Sequence, residues 1–256
     1  KSGALIPETF LLVKEYCRLK SLDALRQRVL EDNIVDKGSQ KYRKDIWTEI
    51  RVRCFLGQDE RFEYTSLLKV IDAFLSEELK RQVLFYHVCL SDALVYDLTA
   101  FHLFETFQSG AEAVSKTDVE SYLQALESEH HELKTWSLST RNKTIRYYLA
   151  AMKDFGILEG RHKKHFCYRY LPIETFTYVV YHIQQQDNHS AQRLINHSDW
   201  RLFFLEPRHV EEQLFRAQRE GFLKFESAGS VIRLDLNYRD TGEYVDALIA
   251  EYRRAH

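Results

Sequence analysis

The sequence predicts a mainly α protein: a helical N-terminal domain with a helix-turn-helix, followed by winged helix-turn-helix-like units with short β-hairpin wings. Three observations carry this expectation. The 256 residues include only three Pro and nine Gly, so long stretches run without the residues that end helices. Apolar residues recur at helical spacing over much of the chain. The order helix, helix, two short strands occurs around Gly156 and is echoed around Gly221.

The elements follow in order. "IPETFLLVKEYCRL" reads as a first helix, with Pro7 in its first turn and Glu8 placed to complement the helix dipole. Ser21 is positioned to cap "LDALRQRVLEDN", and Ser39 to cap "QKYRKDIWTEIRVRCF". The short turn "IVDKG" lies between them, the outline of a helix-turn-helix. In the second of these helices Ile46, Ile50 and Cys54, with Trp47 beside them, form one core-facing stripe. From Thr65 to Phe107 further helices rich in Leu, Phe and Tyr predict the main helical core, and "QSGAEAVS" at 108–115 reads as a linker.

Beyond Thr117, "TDVESYLQALESEH" reads as a capped helix and "LKTW" as a connector. Ser137 or Ser139 caps the next helix, which runs to Phe155 and ends on Gly156 as a left-handed C′ residue. "ILEGRHKKHFCYRYLP" follows as two strands around a basic tip. "MKDFGILE" is answered later by "QREGFLKF", and "FLKFESAGSVIRLDL" alternates as a hairpin whose tip carries no base. Three regions result: residues 1–110 as a helical domain with a helix-turn-helix, 111–175 as a winged helix-turn-helix, and 176–256 as a C-terminal helical region with a second winged-helix-like hairpin.

Charge is distributed unevenly. The chain as a whole carries a formal net charge of -2, yet residues 134–170 hold nine bases and two acids, while 112–132 hold six acids and one base. On a helical wheel Ile145, Tyr148, Leu149, Met152 and Phe155 share an inward face, and Lys143, Arg146, Tyr147 and Ala150 lie opposite. Arg141 and Asn142 fall in the first turn, where a cation opposes the helix dipole and invites an anionic ligand. Arg141, Asn142, Lys143 and Arg146 are therefore candidate contacts of a recognition helix, with chemistry suited to base edges. Arg161, His162, Lys163, Lys164 and His165 form a wing tip suited to phosphates. A second basic patch comprises Lys37, Lys41, Arg43, Lys44, Arg51 and Arg53, of which Lys37, Lys41, Arg43 and Lys44 are carried forward as candidates. A one-signed surface of this kind attracts a polyanion even when the net charge is near zero.

Other classes find less support. Hydrophobic content of 45% and aromatic content of 13% argue against a disordered chain. Cys17, Cys54, Cys89 and Cys167 are isolated and form no CxxC, which reads as reduced thiols in a cytoplasmic protein. No apolar run approaches the ~20 residues of a membrane span, and the start at Lys1 reads as a chain whose native beginning lies upstream. No phosphate-binding loop, dinucleotide fingerprint or hydrolase motif occurs. "ESEHHE" (Glu127 to Glu132) has metal-binding residue types but no defined ligand spacing, and reads as a solvated helix end. No catalytic residue, cofactor or metal is expected.

"SGALIPETFLLVKEYC", "VLEDNIVDKGSQKYRKDIWTEIRVR" and "LSTRNKTIRYYLAAMKDFGIL" together resemble the BrxA family of BREX (bacteriophage exclusion) defence systems of bacteria. The resemblance covers most of the chain and weakens after about residue 180. Its motifs are patterns of helix and charge rather than catalytic signatures. It implies a mostly helical, non-enzymatic protein with helix-turn-helix elements that binds double-stranded DNA. It also implies action beside other BREX proteins that modify host DNA and restrict phage. The weakly basic C-terminal hairpin departs from a picture of uniform DNA-reading units. A transcription regulator is the nearest alternative, since a winged helix that reads a sharp consensus site is one. An RNA-binding protein stacking bases on Tyr147, Tyr168 and Tyr170, and a scaffold for protein partners, remain open, and the sequence leaves the oligomeric state undefined.

Overall fold

The computed structural model describes residues 3–56, 64–73, 75–161, 163–167, 170–186, 189–228 and 231–255. It is mainly helical with small antiparallel hairpins. The N-terminal part comprises α1 (Ile6–Leu19), α2 (Leu22–Leu30), α3 (Gln40–Cys54), α4 (Tyr64–Asp72) and α5 (Glu77–Ser91). Pro7 occupies the first turn of α1. Ser21 and Ser39 accept hydrogen bonds from the Ala24 and Tyr42 backbone N–H groups, as N-caps do. The stripe Ile46, Trp47, Ile50 and Cys54 is buried as the spacing predicts.

The α2–α3 connection differs from the short turn expected. Helix α2 stops at Leu30, three residues before Asn33, and the chain takes residues 31–39 to reach α3. Asn33 and Asp36 adopt φ of 55° and 52°, the left-handed region that Asn and Asp tolerate. Asn33 Oδ1 accepts from the Lys37 N–H at 2.9 Å and fixes the bend. The connection is thus wider than the three- to four-residue turn of a compact helix-turn-helix.

Helix α5 meets the next helix at 114°. Asp92 makes the corner, its Oδ1 accepting from the Leu94 and Val95 N–H groups at the start of α6 (Ala93–Asp97). A π-helical turn, Leu98–Leu103, then leads into α7 (Phe104–Gln108). Among the described residues no single helix is long and apolar enough to cross a membrane.

The middle unit continues with β1 (Ala113–Val114), α8 (Lys116–Leu126), the single turn α9 (His131–Lys134), α10 (Leu138–Asp154), β2 (Leu158–Glu159) and β3 (Lys164–Phe166). The sheet order is β1-β3-β2, all antiparallel, with Ala113 opposite His165 and Leu158 opposite Phe166. The stretch expected to be a linker therefore contains a strand, and part of "LKTW" is helical. Two residues are too few to show a strand period, and β1 exists because β3 offers it an edge. Ser115 and Asp118 close a capping box at the start of α8.

Helix α10 ends as expected. Gly156 adopts φ 75°, the Gly156 N–H donates to the Lys153 carbonyl, and the Ile157 N–H donates to the Met152 carbonyl, which is a Schellman motif.

The C-terminal part comprises α11 (Ile173–Gln186), α12 (Ala191–Ile195), a 3₁₀ turn (Ser198–Phe203), α13 (Pro207–Arg219), β4 (Leu223–Ala228), β5 (Val231–Leu236) and α14 (Thr241–Ala255). Helix α13 repeats the ending of α10. Gly221 has φ 78°, and the Gly221 and Phe222 N–H groups donate to Gln218 and Ala217. The sequence echo is therefore a repeated helix-to-hairpin geometry. Tyr181 anchors the second hairpin, its hydroxyl donating to the Phe222 carbonyl and accepting from the Asn237 and Tyr238 N–H groups.

One hydrophobic cluster runs through all three regions, from Leu12 and Ile50 through Phe85 and Met152 to Tyr244. A polar knot sits inside it. The buried carboxylate of Asp199 accepts from the Tyr86 and Tyr96 hydroxyls, both at 2.7 Å, and so ties α5 and α6 to the 3₁₀ turn. His182 Nδ1 lies 3.1 Å from the Tyr86 hydroxyl, and His87 Nε2 lies 2.6 Å from that of Tyr178.

Burial, and secondarily the neighbouring His182, pushes the His87 pKa well below the usual imidazole value. Burial also lowers that of half-buried His102. The folded protein keeps these rings neutral at a pH where the unfolded chain protonates them. Stability is therefore highest above the unfolded value near 6.5 and falls as pH drops through it, by up to ~1.4 kcal/mol per pH unit for His87. Urea unfolding at pH 7.5, 6.5 and 5.5 should show this loss, and His87→Gln should flatten it.

Candidate nucleic-acid interface

Helix α10 builds its surface from a simple division. Ile145, Tyr148, Leu149, Met152 and Phe155 are buried against the core, so Lys143 and Arg146 are carried to the outer face, where both are exposed. Each lies 5.6 Å from the ring centroid of Tyr147, so the half-buried ring holds two cations on one helical face. Among the described residues no ion pair engages either. Ser137, not Ser139, caps the helix. Tyr147 and Ala150, expected on the open face, are half-buried, and Tyr147 lines a small crevice with Arg53 and Thr144.

Arg141 corrects the sequence reading. Its guanidinium pairs with Glu127 Oε1 at 2.5 Å and donates to the Leu133 carbonyl at 3.2 Å, and only 12% of its side chain is exposed. The anion that the first turn invites is thus supplied from the end of α8. Arg141 joins α8, α9 and α10 instead of offering charge outward. Asn142 is half-buried beside it.

The wing presents Arg161 and Lys163 at its tip, both exposed and without an ion pair among the described residues. Gly160 makes the tip possible. Its φ is 96°, and a Cβ there would meet the Lys163 carbonyl oxygen at 2.5 Å, so no other residue fits this turn. Lys164 was expected at the tip but lies in β3, opposite Val114, and its ammonium donates to the Gly160 carbonyl at 2.9 Å. Part of its charge closes the hairpin. His162 and Tyr168 lie outside the described residues.

The N-terminal patch divides in the same way. Lys41 and Lys44 in the first turns of α3 are exposed, as is Arg51. Lys37 is paired with Glu8 at 3.0 Å, and this hydrogen-bonded carboxylate raises the Lys37 pKa. Arg43 donates to the Lys37 carbonyl. Arg53 is buried, paired with Glu49 at 2.8 Å, and donates to the carbonyls of Gly3 and Ala4. It pins the N-terminal segment to α3.

The side chains of "ESEHHE" are engaged in part by their neighbours. Glu127 is committed to Arg141, His130 Nδ1 lies 3.5 Å from Glu132, and no group of three or more metal-ligating side chains occurs among the described residues. Of the candidate cations, those left open are Lys143, Arg146, Arg161 and Lys163 in the middle unit, with Lys41, Lys44 and Arg51 on α3; Lys116, Lys134 and Lys153 are exposed as well. What the sequence reading missed were the acids that neutralise Arg141 and Lys37. Glu127 and Arg141, and Glu8 and Lys37, lie too far apart in sequence for the helical i,i+4 rule to pair them.

The family model for BrxA matches residues 1–183, which reaches from the N-terminal helices almost to the end of α11. No curated protein matches the chain.

Proposed function

The chain belongs to the BrxA family, a component of BREX phage defence, and from that premise we propose that it binds double-stranded DNA and catalyses no reaction on it. The observation that carries this reading is the open set Lys143, Arg146, Arg161 and Lys163. All four are exposed on one helix and the hairpin that follows it, and none is neutralised by a described acid. The order helix, β1, α8, α10, β2, β3, with β1 paired to β3, supports reading the middle unit as a winged helix. In such a unit α10 enters the major groove and the wing tip meets the flanking backbone. With Arg141 committed internally, the four open cations can all bind phosphates and only Lys143 and Arg146 lie where base edges are reached, so weak sequence preference is expected. The C-terminal hairpin, with no base expected at its tip, serves packing or protein partners in this reading.

The test is binding to a random duplex of about 20 base pairs, measured between 50 and 200 mM salt. Four neutralised phosphates give a slope of roughly -3.6 in log K against log salt. Single-stranded RNA should compete poorly. Absence of duplex binding at 50 mM salt rejects the reading, and a sharp consensus site would identify a transcription regulator instead.

A further inference from the structure

The second hairpin leaves a strand edge open. In the middle unit, β3 is the second strand of its hairpin, and β1 covers its outer side. The hairpin after α13 repeats that geometry, but among the described residues its sheet is β4-β5 alone. The phase of the ladder identifies the bare groups. Leu234 lies opposite Phe225, and the Phe225 N–H points away from β5, donating to Gln218 Oε1. This pair is therefore of the non-hydrogen-bonded kind. The backbone N–H and C=O of Leu234 point outward, as do those of Ile232 and Leu236. Among the described residues no hydrogen bond engages these groups. Helix α12 packs beside β5 without bonding to it. Leu223 and Phe225 on β4 are each 1% exposed, whereas Ile232, Leu234 and Leu236 on β5 are half-exposed.

The bare edge is complementary to itself. Two antiparallel β5 strands centred on Leu234 set Leu234 against Leu234 and Ile232 against Leu236. Every outward group then meets an outward group, and each such pair exchanges two N–H···O bonds. The same register sets Arg233 against Asp235 of the second copy. Within one hairpin Arg233 faces Glu226, and Asp235 faces Lys224. Across both hairpins the outer face reads Glu226, Arg233, Asp235, Lys224, with the sign alternating at every step, which favours cross-strand neighbours. In the single chain Arg233 and Asp235 bridge along their own strand at 2.9 Å, with 68% and 47% of the side chains exposed. So exposed a bridge is weak, and each group also reaches its opposite across the axis. Other registers fail. A slip of one residue mismatches the backbone groups, and a slip of two sets Arg233 against Arg233 or Asp235 against Asp235.

We infer that β5 pairs with β5 of a second copy of this chain about a two-fold axis at Leu234, joining the two hairpins into one four-stranded sheet. The contact is isologous and closed, so it stops at a dimer. Its apolar face brings together the half-exposed Ile232, Leu234 and Leu236 of both copies and removes them from water. The contact is small, so the dimer is weak, with a dissociation constant of about 10–100 µM. It involves none of the cations of α10 or the wing tip, so its test is independent of DNA binding.

Sedimentation equilibrium of the intact chain without DNA, from about 5 to 500 µM, tests it. The mass should rise from that of one chain toward that of two. Leu234→Pro removes an outward N–H that the β4-β5 ladder does not use, so it should abolish the dimer while the melting temperature shows the fold intact. Arg233→Glu changes an exposed side chain, sets like charges across the axis and should weaken the dimer at least tenfold. A wild-type chain still monomeric at 500 µM, a folded Leu234→Pro chain that associates like wild type, or unchanged association of Arg233→Glu would each overturn the inference.

Discussion

Charge reversal at Lys143 and Arg146 together is expected to weaken duplex binding about a hundredfold or more at 100 mM salt. Each substitution removes a phosphate contact and adds a repulsion, together ~1.4 kcal/mol per site, and 2.7 kcal/mol corresponds to a factor of about 100. The salt slope should shrink by about two. Both side chains are exposed, so the melting temperature should hold. Arg141→Ala is the informative contrast, because Arg141 sits in the same quoted basic run. Its loss strands Glu127 and the Leu133 carbonyl, so it should cost stability, roughly 1–3 kcal/mol, and leave the salt slope unchanged. Anisotropy titrations at three salt concentrations, with urea unfolding of the same samples, separate the two outcomes. If Arg141→Ala reduces the slope while the fold is unaffected, the division between open and committed cations is wrong.

Breaking the polar knot at Asp199 should produce the largest stability change. Asp199→Ala removes the charged acceptor of the Tyr86 and Tyr96 hydroxyls and leaves them the neutral partners His182 Nδ1 and Ser198 Oγ. A hydrogen bond to a charged group contributes ~1.5–3 kcal/mol, and the neutral partners recover part of the two that are lost, so a loss of roughly 2–4 kcal/mol is expected, a large share of the 5–15 kcal/mol that holds a typical fold. Asp199→Asn should cost less, since its carbonyl still serves one phenol. The double variant Tyr86→Phe, Tyr96→Phe leaves the buried Asp199 carboxylate without either phenol donor and should be at least as destabilising as Asp199→Ala. Chemical denaturation monitored at Trp200, which is buried beside Asp199, measures all three. Equal stability of Asp199→Ala and wild type would show that the carboxylate does not hold α5 and α6 to the 3₁₀ turn.

Much of the helical frame was legible because its signals are local. A cap needs only its own side chain and the next turn, so Ser21 and Ser39 could be placed from sequence. Gly156 could be placed because a left-handed C′ position excludes most other residues. The apolar stripe of α10 was legible for the same reason, as a period of 3.6 residues shows within one element. The strand β1 was not, because two residues carry no period and its partner lies 50 residues away. The candidate interface was half legible. The basic run identified the helix and its wing, but it could not say which cations were already neutralised.

The sequence alone determined the helical class, the caps, the helix-to-hairpin turn at Gly156 and its echo at Gly221, and the family pattern of charge. Only the tertiary structure decided that Arg141, Arg53 and Lys37 face inward acids or carbonyls, while Lys143, Arg146, Arg161 and Lys163 face outward. Only it brought Asp199 between two tyrosines. The physical reason is range. Backbone propensity and capping act within a few residues, whereas the pairing and desolvation of a charge depend on whatever the fold carries to within about 4 Å of it.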